Sequence, residues 1–80
     1  GKQMQDSIKS RIGEINHGYT IVAQYLNKVV LAISDNRSIA EMAVVWSLDN
    51  DGDTYSGSYF CNFSSAQKEF FARACGGIYK

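Results

Sequence analysis

The stretch EMAVVWSLDNDGDTYSGSYFCNF, Glu41 to Phe63, decides the fold. Apolar and polar residues alternate on both sides of Asp49-Asn50-Asp51-Gly52-Asp53, which is the pattern of two half-buried β-strands around a turn. Met42, Val44, Trp46 and Leu48 fall on one face of the first strand, and Tyr55, Gly57, Tyr59, Cys61 and Phe63 on one face of the second. For those faces to coincide the paired positions must sum to an odd number. A two-residue Asp51-Gly52 turn supplies that parity and sets Trp46 opposite Gly57, whereas a four-residue loop sets Trp46 opposite Tyr55. A large ring laid over a strand glycine gives that glycine a structural purpose.

Upstream, Tyr19, Ile21, Ala23 and Tyr25 fall on one face, and Val29, Leu31 and Ile33 fall on the same face after a short polar break. This predicts a hairpin closed by a three-residue loop, Leu26-Asn27-Lys28, with Asn27 or Lys28 in a left-handed conformation. Further back, Met4, Ile8, Ile12 and Ile15 recur at helical spacing, and Gly18 stands where a left-handed residue ends a helix. Downstream, Ser64 and Gln67 form a capping box before a helix whose apolar side carries Ala66, Phe70, Phe71 and Ala74, stopped by Gly76-Gly77. The expectation is one α+β domain over residues 1–80 in the order α-β-β-β-β-α: a four-stranded antiparallel meander with an N-terminal and a C-terminal helix.

Eight basic against eight acidic residues leave a formal charge of zero, so no global field draws this chain onto nucleic acid or an anionic membrane. No run approaches the roughly 18 apolar residues of a membrane helix, and the N-terminus lacks the layout of a signal peptide; a cytoplasmic protein is expected. Cys61 and Cys75 are too few for a disulfide framework or a zinc site and read as buried free thiols.

Catalytic and metal chemistry find little support. His17 is the sole histidine, set beside a glycine at the end of an element, so a nucleophile–base pair would have to be assembled from Cys61 or Cys75 by the fold. Matching Gly52 to the glycine of a calcium-binding loop puts Ser47 and Ser58 where carboxylates belong. Neither enzyme activity nor a cofactor is expected.

What stands out is an apolar surplus. Val22, Val30, Ala32, Ala43, Val45 and Phe60 occupy strand positions that face away from helices packed on one side only, and such a face calls for cover by the second helix, by a second copy or by another protein. The expected contact surface is Val22, Val30, Val45 and Phe60 with the acidic turn Asp49, Asp51 and Asp53. The alternative is a nucleic-acid accessory protein whose phosphate contacts are Lys28, Arg37, Lys68 and Arg73. The helix-sheet-helix order resembles double-stranded-RNA-binding domains in coarse topology, but those have three strands and a lysine cluster where this chain has Ser65, Ala66, Gln67, Lys68 and Glu69.

From Tyr19 to Arg73 the rhythm of an opening tyrosine hairpin, Val44-Val45-Trp46, Asp51-Gly52-Asp53, Gly57-Ser58-Tyr59-Phe60, then Ala66, Phe70 and Arg73 resembles short proteins of phages and conjugative elements of Gram-positive bacteria. The resemblance implies a small cytoplasmic accessory protein without an active site to carry over. Combined with the residue reading, it predicts a non-enzymatic protein-binding accessory or inhibitor-type factor, its partner another protein or a second copy of itself.

Overall fold

A computed structural model describes residues 9–36 and 39–76. It shows an α+β domain built on five antiparallel strands in sequential order: β1 (Ile15–Asn16), β2 (Tyr19–Tyr25), β3 (Val29–Ile33), β4 (Ala43–Leu48) and β5 (Thr54–Phe60), followed by α1 (Phe63–Ala74).

The fifth strand replaces the expected N-terminal helix, of which Met4 and Ile8 lie outside the described residues. His17 and Gly18 have φ of 52° and 85°, two successive left-handed residues between the paired Asn16 and Tyr19. That is the signature of a two-residue type I′ hairpin, and Gly13, with φ of 98°, is equally foreign to a helix interior. Ile12 and Ile15, supposed members of a buried helical stripe, are 56% and 74% exposed.

The β2–β3 hairpin has the expected three-residue loop, with Tyr25 opposite Val29, but the left-handed residue is Leu26. A bulge between Ile21 and Ala23 then splits the phase of β2: Ile21 pairs with Ala32 on one face, Ala23 with Leu31 on the other.

At the β4–β5 hairpin, Gly52 N–H donates to the Asp49 carbonyl and Gly52 takes φ of 84°, which makes a three-residue loop, Asn50-Asp51-Gly52. Its parity is even, as in Leu48 opposite Thr54, and would turn Trp46 away from Gly57. A second bulge, with Ser56 at φ of 57°, adds one residue and restores the odd register, so that Val45 pairs with Ser58 and Val44 with Tyr59.

Each face of the sheet carries its own core. On the outer face α1 packs against β3, β4 and β5, joining Ala66 and Phe70 to Val29, Leu31, Ala43 and Val45. The helix begins two residues earlier than its capping-box signal, because the Asn62 side chain accepts from Ser65 N–H at 2.8 Å; the N-cap is therefore Asn62, not Ser64. Phe71 points outward, 57% exposed.

On the inner face Ile21, Val30, Ala32, Val44, Trp46 and Leu48 are buried without a helix. The sheet curls to close over them: Asn16 on β1 donates to Thr54 on β5 at 3.1 Å, although these strands lie at opposite ends of the strand order. The rings of Tyr19 and Tyr59 meet Trp46 nearly at right angles, with centroids 6.0 and 6.5 Å away, a favourable edge-to-face arrangement.

Candidate protein-contact surface

The four apolar residues expected to form one surface are divided by the register of the sheet. Val30 sits opposite Trp46 and Val45 opposite Leu31, so Val30 belongs to the inner core and Val45 to the outer one, and both are wholly buried. Phe60 is half-buried against the cluster that α1 covers. Val22 alone stays exposed, at the bulge of β2. The intramolecular cover expected as one alternative is thus present on both faces. The β3–β4 connection carries no short-turn parity signal, so the sequence held no cue to this division.

Apolar side chains remain exposed on β5 and α1 (Tyr55, Tyr59, Phe63 and Phe71) and on the β1–β2 side. Helix α1 packs mainly on β3, β4 and β5. Pairing places Thr20 and Ala23 on the outer face with Ile33 and Leu31, and Ile15 opposite Thr20. Along this strip Ile15 is 74%, Tyr25 43% and Leu26 48% exposed, with Val22 at 39% beside them. Exposure of one such side chain is ordinary; here four are spread along one hairpin ribbon, Ile15 at the Thr20 end of β2 and Tyr25 and Leu26 at the other.

The acidic turn is a built loop. Asp49 Oδ1 accepts from both Asp51 N–H and Asp53 N–H at 2.9 Å, so this carboxylate shapes the turn it begins. Oxygens of Asp49, Asp51 and Asp53 come within 4.8 Å of one another, all three residues exposed to water. Arg11 lies against this turn and donates to the Gly52 carbonyl at 3.0 Å.

The candidate phosphate contacts that the structure describes are Lys28, Lys68 and Arg73. Arg73 is drawn into the fold: Nε meets Glu69 at 2.7 Å, Nη1 donates to the Ser47 hydroxyl and the Ser56 carbonyl, and Nη2 donates to the Ser58 hydroxyl at 2.7 Å. Its guanidinium clamps α1 to the β5 bulge and is committed to protein acceptors. Lys28 is exposed in the β2–β3 loop near the end of α1, Lys68 is exposed on the helix, and Arg37 lies outside the described residues.

His17 is exposed at its turn, its ring 6.1 Å from that of Trp46. Cys61 and Cys75 are exposed free thiols, which corrects the expectation that they are buried. They flank opposite ends of α1, so about 20 Å separates them, far beyond disulfide reach. A cleft of about 460 Å³ between the β3–β4 connection and the start of α1 is lined by Ser34, Asp35, Ile39, Met42 and Cys61, among others. Among the described residues its lining holds a thiol and a carboxylate but neither the histidine nor a lysine.

Comparison with family models, curated proteins and solved structures finds no match to this chain. Among the described residues, no helix is long and apolar enough to cross a membrane.

Proposed function

We propose that this chain is a non-enzymatic protein-binding factor of the accessory or inhibitor kind, acting in the cytoplasm of a bacterium and carried by a phage or mobile element. The observation that supports the reading is the exposed apolar strip of Ile15, Val22, Tyr25 and Leu26 on the side of the sheet away from the main packing of α1 on β3, β4 and β5. An aromatic ring within an apolar patch is the kind of anchor that protein interfaces favour. The commitment of Arg73 to protein acceptors argues against the alternative, in which that cation would contact phosphate.

The test is retention of a partner from bacterial lysate by wild-type protein and by Ile15→Glu/Tyr25→Glu, with Phe71→Glu on the outer side of α1 as the control. A partner held by wild type and the control but lost by the double variant, with unchanged circular dichroism, supports the reading. Equal retention by all three overturns it. A concentration-dependent dimer abolished by the double variant would assign the strip to self-association instead.

A further inference from the structure

The curled sheet is closed by a strap. Residues Lys9 to Asn16 run from β2 to the β4–β5 hairpin, and their fastenings are almost all polar. Arg11 N–H donates to Gln24 Oε1 at 2.7 Å and Gln24 Nε2 donates to the Lys9 carbonyl at 3.0 Å. Across the opening, Arg11 Nη1 reaches the Gly52 carbonyl at 3.0 Å and Asn16 Nδ2 reaches Thr54 Oγ1 at 3.1 Å. The strap pairs with β2 through Gly13 N–H to the Ile21 carbonyl and Ile21 N–H to the Glu14 carbonyl, at 2.8 and 2.9 Å. Among the described residues, no backbone hydrogen bond joins it to β4 or β5. Its two large apolar residues, Ile12 and Ile15, remain mostly in water, so the strap's own side chains add little hydrophobic burial to the closed form.

We infer that the strap is a local opening unit, a latch that peels away from both β2 and the β4–β5 hairpin while the β2–β5 sheet and α1 stay folded. Segments with few buried apolar contacts and solvent-facing hydrogen bonds open at lower free energy than the core.

Native-state hydrogen exchange tests this. The amides of Gly13 and Ile21 are bonded within the latch and report its opening, whereas those of Leu31 and Val45 lie in the central strands. Gly13 and Ile21 are expected to exchange at least about tenfold faster than Leu31 and Val45, because only the latter need global unfolding. Arg11→Ala should speed Gly13 and Ile21 several-fold further and leave Leu31 and Val45 unchanged, and Asn16→Cys/Thr54→Cys, oxidised in a Cys61→Ser/Cys75→Ser background, should slow the latch amides. Equal rates at all four positions, or an Arg11→Ala variant that accelerates all four alike or loses its fold, would overturn the inference.

Discussion

The indole of Trp46 lies against Gly57 so closely that a Cβ at Gly57 would stand 2.8 Å from Nε1 and 2.9 Å from Cδ1 of the ring. The same Cβ would meet Tyr59 Cε1 at 3.1 Å. Trp46 is 4% exposed and held edge-on by Tyr19 and Tyr59, so it has nowhere to retreat. Gly57→Ala is therefore expected to destabilise the fold by about 1–3 kcal/mol through overpacking. Chemical denaturation followed by the fluorescence of the single tryptophan measures it, and a wild-type midpoint would contradict the packing described.

Arg73 ties one helix to two strands. Arg73→Ala is expected to lower stability by roughly 1.5–3 kcal/mol, the range for hydrogen bonds from a charged group, since Ser47, Ser58 and the Ser56 carbonyl lose their donor. Arg73→Lys should recover only part of this, because an ammonium cannot reproduce the planar fork. Full recovery by lysine in urea denaturation would show that charge alone matters there.

The start of α1 gives a prediction with an internal control. Asn62→Ala should cost about 0.5–2 kcal/mol as the Ser65 N–H loses its partner. Ser64→Ala, at the residue that the sequence pattern marks as the cap, should leave the thermal midpoint nearly unchanged. The reverse ranking would place the helix start two residues later.

Tyr19 predicts an alkaline sensitivity. Burial, followed by the neighbouring Tyr59 and Glu41, raises its phenol above the ordinary value of 10.0, and its hydroxyl donates to the Glu41 carbonyl at 2.8 Å. The folded state thus holds the phenol proton more tightly than the unfolded chain. The resulting stabilisation is fully present below pH 10 and is lost as the pH rises through the raised folded value. Tyr19→Phe should flatten the fall of stability above pH 10; an unchanged alkaline limb would remove Tyr19 as its source.

Much of the fold was legible because alternation and turn chemistry are local. The Leu26-Asn27-Lys28 loop, the facing of Trp46 and Gly57, and a helix carrying Ala66 and Phe70 inward all appear where the residue pattern places them. What misled was ambiguity of physical cause. A glycine with positive φ ends a helix or turns a type I′ hairpin equally well, and His17-Gly18 does the second. Bulges at Val22 and Ser56 each add a residue that flips the facing of everything beyond them, so the two faces could not be assigned by counting. The expected contact surface fails for a different reason: the unbroken β3–β4 register pairs Val30 with Trp46 and Val45 with Leu31, so Val30 and Val45 lie on opposite faces. The open strip was readable only once the reach of α1 was known, and the role of Arg73 depends on three serines distant in sequence.

The most direct measurement is hydroxyl-radical footprinting of the protein alone and in complex with the partner that it retains from lysate. Protection confined to the strip of Ile15, Val22, Tyr25 and Leu26, with Phe63 and Phe71 on α1 labelled as before, is the result expected if that strip is the contact surface. Protection of the α1 residues with the strip still labelled, or no protection anywhere, would contradict it.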